Sequence, residues 1–231
     1  MARRPMSEGT FLMRRFLKLS ANTIALLLVL PVVGVYKLSA AIVNSERVFP
    51  GFSQVFSLIP GIAGSYVRRA FYRCVLPACG EDVCICFGTV FSHPAATIGD
   101  RVYIGVGCMI GDVTLDADVL IGSHVSIING RRQHGIERLD VPVREQPGEY
   151  PRVMIGEDSW IGDRAIVMAD LGMHSVMGAG AVVTKAMPDF AIAAGNPAQI
   201  KGFREASVPA AVEASAVLIQ TEVADSELSS K

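Results

Sequence analysis

The sequence predicts a mainly-β fold: a parallel β-helix of hexapeptide repeats, with an N-terminal hydrophobic and amphipathic helical segment and a short C-terminal helix or tail. Three observations predict it. Twelve apolar positions keep a six-residue register. They are Ile98, Ile104 and Ile110, then Leu115, Ile121 and Ile127 after a five-residue step, then Ile155, Ile161 and Val167 after an interruption, and Leu171, Met177 and Val183 after a four-residue step. A period of six is neither the 3.6 of a helix nor the 2 of a flat strand. The composition, with 22 Gly and one Trp in 231 residues, suits short strands and tight turns. Ahead of the repeats lies a long uncharged run and then an arginine-bearing amphipathic stretch.

Residues 1–46 form a basic N-terminus and a membrane-associating hydrophobic segment. Arg3, Arg4, Arg14, Arg15 and Lys18 outweigh Glu8, and residues 19–36 carry no charge before Lys37. No small-x-small site follows a short apolar core, so the run does not read as a cleavable secretory signal. Its length lies between that of a spanning helix and that of a re-entrant or interfacial one. Pro31 predicts a bend inside it. Residues 47–80 read as an amphipathic, capping helical region. Over residues 65–76, Arg69 and Arg73 share one helical face, while Val67, Ala70, Phe71, Cys74 and Val75 fill another. Two compatible roles follow: a cap over the core, and a basic face of Arg68, Arg69 and Arg73 on anionic lipid.

Residues 81–205 hold the repeats. Each six-residue unit gives one short strand and one turn, and three units close a triangular coil of about eighteen residues that rises about 4.8 Å. The register aliphatics point inward, and Gly99-Asp100, Gly111-Asp112 and Gly162-Asp163 read as turns that tolerate positive φ. No coil buries its core alone, so stacking is obligatory. Between residues 128 and 152 the register stops. That polar stretch, with no six-fold pattern, reads as an extruded functional loop. Residues 206–231 form an acidic, Ala- and Ser-rich tail.

The net charge of −1 removes a global electrostatic case for nucleic acid. The five cysteines form no Cys-x-x-Cys pair and no His pair has zinc spacing, so no metal site is expected. Reduced, packed thiols in a cytosolic domain follow.

The segments IGEDSWIG (155–162), VMADLG (167–172), MGAGAVVTKAMP (177–188) and AAGNPAQIKG (193–202), in that order, resemble the hexapeptide-repeat acyltransferases of left-handed parallel β-helix fold. Among these the chain looks most like the polysaccharide-linked O-acetyltransferases. The resemblance covers residues 81–205. It implies a left-handed coil, a homotrimer, acetyl-CoA as co-substrate in grooves between neighbouring subunits, a carbohydrate or glycolipid acceptor, and a His general base on an extruded loop.

His134 is the only His in the 128–152 loop, although the chain reads His134-Gly135 where many members read His-Pro. Acyl transfer from a thioester to an alcohol needs the hydroxyl proton removed as the oxygen attacks. An imidazole can take that proton near neutral pH and pass it to the departing thiolate. The resemblance makes Trp160, Ala179, Gly180, Thr184, Lys185, Asn196 and Lys201 the CoA-binding candidates, with Arg204 beside Lys201 for phosphate charge. His93, His124 and Arg132 are acceptor-side candidates, and His174 reads as a solvated turn residue.

Other readings compete. A γ-class carbonic anhydrase shares the coil but needs three metal-binding His, two of them close in sequence, and His93, His124, His134 and His174 contain no such pair. A non-catalytic β-helix scaffold sits poorly with a loop His and intact V-T-K and G-N-P-A segments. A serine acetyltransferase would carry a helical N-terminal domain that is missing. An N-acetyltransferase on an amino sugar stays open. The basic N-terminus favours the cytosol. A single span would then carry the coil away from cytosolic acetyl-CoA. The expected location is therefore the cytosolic face of a bacterial-type inner or plasma membrane, monotopic or re-entrant. Pro31 marks the bend, and Arg68, Arg69 and Arg73 touch lipid.

Overall fold

The computed structural model of the chain describes residues 8–204. The acidic tail expected at 206–231 lies outside the described residues. Three helices, α1 (Glu8–Val43), α2 (Ser45–Ser57) and α3 (Gly61–Val75), precede sixteen short strands, β1 (Ala78–Cys79) to β16 (Gln199–Phe203). The strands stack into a parallel β-helix of about six turns.

One face of the coil is the sheet of β1, β4 (Thr97–Ile98), β7 (Val113–Leu115) and β10 (Val153–Ile155); the second is β2 (Cys84–Ile85), β5 (Tyr103–Ile104), β8 (Leu120–Ile121), β11 (Trp160–Ile161), β13 (Val176–Met177), β15 (Ala191–Ala194) and β16; the third is β3 (Val90–Phe91), β6 (Met109–Ile110), β9 (Ser126–Ile127), β12 (Ile166–Val167) and β14 (Val182–Val183). Every pairing is parallel except β15 with β16, which closes the last turn with an antiparallel strand. All twelve register residues point inward and are at most 3% exposed. Smaller residues two positions earlier complete the core, among them Val83, Val102, Val119, Val125, Ala165 and Ala181. Where that layer turns polar, the groups are paired. Thr89 Oγ1 donates to the Gly105 carbonyl at 2.6 Å, and Ser159 Oγ donates to the Gly172 carbonyl at 2.9 Å.

The turns differ from the sequence reading in which residue takes positive φ. Gly99, Gly111 and Gly162 do not. That conformation falls on Asp82, Arg101, Asp118, Asp158, His174 and Phe190 at one corner and on His124 and Arg164 at the next. The repeat glycines serve close approach instead. A Cβ on Gly99 would lie 2.7 Å from the Ala117 nitrogen of the next coil, and one on Gly105 would lie 2.5 Å from the Gly122 oxygen. Along the first corner the side chains stack in pairs. Lys18 of α1 meets Asp82 at 2.5 Å, and Arg101 forks onto Asp118 at 2.6 and 2.5 Å. His174 is half-buried rather than solvated. Its Nδ1 lies 3.0 Å from Asp158 Oδ2, and its ring stacks on Phe190. Arg204 Nη1 reaches the same carboxylate oxygen at 2.9 Å. The His174 hydrogen bond, then Arg204, holds the Asp158 carboxyl below the usual carboxylate range.

The helices cover the first coil. Phe71 of α3 stacks on Phe56 of α2 at 4.1 Å, and Tyr36 of α1 meets Phe49, Phe52 and Phe71 edge-on. Hydrogen bonds reach the coil's open edge. Ser53 Oγ accepts from the Phe91 N–H at 2.8 Å and pairs with Tyr72 Oη at 2.7 Å, while the Gly88 N–H donates to the Ser57 carbonyl at 2.9 Å. Two expectations are corrected here. Arg68 and Arg69 do not form an exposed basic face. Arg68 is 1% exposed and donates to the carbonyls of Ile85, Ile59 and Phe56, and Arg69, 8% exposed, donates to the Val83 carbonyl and to Asn22. The guanidinium groups turn inward to carbonyls at the coil edge and the α2–α3 turn. Nor does the chain reverse at Pro31. The helix runs through it on an exposed face, and the turn falls at Asn44, whose side chain accepts from the Glu46 N–H and caps α2.

Candidate functional site

The loop between β9 (Ser126–Ile127) and β10 (Val153–Ile155) is built, not slack. Its foot is tied by Asn129, 3% exposed. The Asn129 Nδ2 donates to the carbonyls of Asp112 (2.7 Å) and Pro151 (2.9 Å), and its Oδ1 accepts from the Asp112 N–H. One side chain thus joins both ends of the loop to the coil beneath. Arg152 adds a bond to the Ala95 carbonyl at 3.0 Å. Within the loop the buried Gln146 acts as a second tie. Its amide donates to the carbonyls of Arg138 and Val141 and accepts from the Arg138 N–H. The Glu149 N–H closes onto the Arg132 carbonyl at 2.7 Å. Gly148 lies so close to this segment of the loop that a Cβ there would come within 1.9 Å of the Gln133 oxygen.

These ties place His134 on the outside of the loop, its ring edge-on to Tyr150 at 6.5 Å and 88°. Beneath lies a groove of about 250 Å³ lined by Ser92, His93, Met109, Asn129, Gln133 and Tyr150, among others. His93 Nδ1 lies 2.8 Å from Ser92 Oγ. The structure therefore brings His93 and the His134 loop to one groove. It does not bring His124 there. His124 stands at the entry to β9, where its ring folds over Gly107, while the groove opens at the exit of that strand. Arg132 is exposed on the loop, and among the described residues its carbonyl alone is engaged.

The CoA-binding candidates fall into two groups. Ala179 and Gly180 sit at the corner entering β14 (Val182–Val183), and Thr184 and Lys185 sit at the corner leaving it. Strands β9, β12 and β14 are successive rungs of one sheet. Thr184 and Lys185 therefore stand two strand spacings, about 10 Å, along the axis from the loop foot. Asn196 follows β15 one rung beyond Gly180. Trp160 and Lys201 lie on another face, on β11 (Trp160–Ile161) and β16, and both are exposed. Sequence reasoning missed Tyr150, Asn129 and Gln146. Tyr150 is the only Phe, Tyr or Trp between 128 and 152, which is a usable signal. Asn129 before Gly130 reads as an ordinary turn. Among the described residues, no group of three or more His, Cys, Asp or Glu is placed to hold a metal ion.

Comparisons with known proteins bear on the repeat and on the fold. Residues 152–185 match the profile described as the hexapeptide repeat of succinyl-transferase. The chain is 31% identical over 125 residues to a probable acetyltransferase of Mycobacterium tuberculosis, covering 52% of this chain and 41% of that protein. It is 33% identical over 110 residues to the galactoside O-acetyltransferase of Lactococcus lactis, covering 45% and 53%. The chain thus spans about half the length of these relatives. In fold it is similar to a hexapeptide-repeat acetyltransferase of Vibrio cholerae solved with acetyl coenzyme A, with a TM-score of 0.60, 21% identity and coverage of 72% of this chain and 91% of that one. In its repeat segment the chain is thus similar to the hexapeptide-repeat profile, and the coil has the fold of that solved structure.

Proposed function

We propose that the chain is an acetyl-CoA-dependent O-acetyltransferase acting on a hydroxyl of a sugar, glycolipid or surface-polysaccharide precursor. The observation that carries this reading is the tied loop. It holds His134 beside a groove that shares a corner column with Thr184 and Lys185. In the reaction the acceptor hydroxyl lies in the groove near His93 and Tyr150. His134 takes the hydroxyl proton as the oxygen attacks the thioester carbonyl, and the imidazolium returns it to the leaving thiolate. No acyl-enzyme forms. Backbone at Ala179 and Gly180 and the Thr184 side chain line the pantetheine arm, and Lys185, Asn196 and Lys201 meet its phosphate end. Arg204 is occupied by Asp158 and is not assigned to phosphate. Trp160 and Lys201 lie off the loop column of their own chain. A homotrimer that sets one chain's β11 face against a neighbour's loop brings the two groups together.

The location proposed is the cytosolic face of the membrane, with α1 lying in the interface. Arg15–Val43 is a 29-residue stretch, long enough to cross a bilayer, whose most apolar 18 residues have a mean hydropathy of 2.2. Yet one stripe of it, Ala25, Val29, Val33 and Tyr36, is buried against the protein, and Lys18 is paired to the first coil. A helix packed along one side from Lys18 to Tyr36 suits an in-plane position, with its other faces in lipid, better than a free span.

The purified full-length chain, given acetyl-CoA and a panel of sugars, is expected to release free CoA thiol only with an acceptor present and to add one acetyl group to a hydroxyl. Thiol release with no acceptor dependence, or acetyl found only on amines, overturns the O-transfer reading. Gly148→Ala tests the loop. The added methyl displaces the backbone at Gln133 and with it His134, so kcat is expected to fall at least about tenfold while the circular dichroism spectrum stays unchanged.

A further inference from the structure

Between α1 and α3 lies a second cleft, remote from the loop. Its volume is about 320 Å³, and Asn22, Thr23, Leu26, Tyr66, Arg69 and Arg73 line it. We propose that this cleft binds the phosphate headgroup of one anionic lipid per chain, gripped by Arg69 and Arg73. The inference rests on the membrane placement proposed above.

Arg69 and Arg73 stand one helical turn apart on α3, facing the same opening. Arg69 is fixed by its bonds to the Val83 carbonyl and Asn22, and its guanidinium lies 4.8 Å over the Tyr66 ring. All of these partners are neutral. Among the described residues, no carboxylate pairs with either arginine. Asp82, whose carboxyl feels the Arg69 charge, is held by Lys18 at 2.5 Å. Cys79 feels both guanidinium groups but supplies no charge, because burial pushes its thiol up to about 11. A largely buried cation and a second one beside it thus share a cleft without a counter-ion. A phosphate supplies what is missing: negative charge and several acceptor oxygens for planar donor groups.

The surroundings select a lipid over a soluble phosphate. Leu26 and Ala70 form the apolar part of the wall, and Leu26, Leu27 and Leu30 continue exposed along α1. A headgroup in the cleft therefore has an apolar track for its acyl chains within the same membrane-facing helix. Arg73 is exposed and makes no hydrogen bond within the described residues, so it can close on a ligand without breaking existing structure.

The test uses the full chain with vesicles of phosphatidylcholine, alone or doped with phosphatidic acid, read by flotation. Native mass spectrometry of the detergent-solubilised chain counts retained lipid. Wild type is expected to float with both vesicles, at least about fivefold more tightly with the doped ones, and to retain one phosphatidic acid per chain. Arg73→Gln removes the charge, and Thr23→Trp fills the cleft without changing charge. Both are expected to lose the retained lipid and the preference while still floating on phosphatidylcholine. Arg47→Gln removes an exposed charge elsewhere and is expected to keep both. If Thr23→Trp behaves as wild type, or Arg47→Gln as Arg73→Gln, the preference is diffuse surface charge and the site does not exist. Displacement by inorganic phosphate as readily as by phosphatidic acid makes the occupant a soluble phosphate and overturns the lipid. Wild type floating equally on both vesicles overturns this inference alone. Wild type floating on neither overturns the membrane placement and the lipid with it.

Discussion

His134→Ala is expected to lower kcat for acetyl transfer by about 10²–10⁴-fold, the usual range for removing a general base. The loop should survive the change. Its shape rests on Asn129, Gln146 and the Glu149–Arg132 backbone bond, none of which uses the imidazole. CoA affinity should change little, because the groups assigned to the cofactor sit about 10 Å along the coil axis or on another face. Steady-state kinetics beside a direct CoA titration separate the two effects. A variant that keeps more than half of wild-type turnover removes His134 as the base. His93, which already lies on the groove, would then be the next residue to test, ahead of His124 at the far end of the strand.

The largest effect on stability is expected from Arg68→Ala. The guanidinium is sealed from solvent and donates to three carbonyls, at 2.8 Å to Ile85, 2.6 Å to Ile59 and 3.3 Å to Phe56. Burial lowers its pKa from the ordinary value, and the nearby Cys86, Tyr72 and Cys84 act the other way. Truncation takes the Arg68 donor from the Ile85 and Ile59 carbonyls, while the Phe56 carbonyl keeps a backbone N–H, and it opens a cavity under α3. The cost is about 3–5 kcal/mol, the range for losing one partner of a buried polar network. In a chain of this size that corresponds to a Tm lower by roughly 10 °C. Lysine should rescue little, because one ammonium cannot satisfy acceptors spread over the α2–α3 turn and the first coil. A Tm within about 2 °C of wild type in calorimetry would show that water replaces the guanidinium at no cost.

Much of the coil was legible because a six-residue period has one physical solution, and every register residue lies inside. The same period could not say what each glycine does. Gly99 and Asp100 read as a turn, yet the positive φ falls on Arg101, and Gly99 is needed because the next coil passes at contact distance. The helical cap was legible as a helix, but its arginines were not. Helical spacing sorts residues by face, whereas Arg68 and Arg69 answer to carbonyls nine to seventeen residues away in sequence. The catalytic candidate in the loop was legible from the break in register and a lone His. The groove was not, because Ser92, Met109 and Tyr150 meet only when coils stack.

The bonds between the helices and the first coil have a consequence for polymerisation. A stacked coil has a sticky end: its outermost strands offer unpaired N–H and C=O groups that another coil could extend. Here α2 and α3 consume that valence, with the Phe91 and Gly88 N–H groups and the Val83 and Ile85 carbonyls all taken by helix groups. At the other end β16 turns back antiparallel and breaks the template. The chain is thus a short filament with a stopper at each end. Its length is set by repeat number alone, and inserting one more unit of about eighteen residues would lengthen the column without touching either stopper.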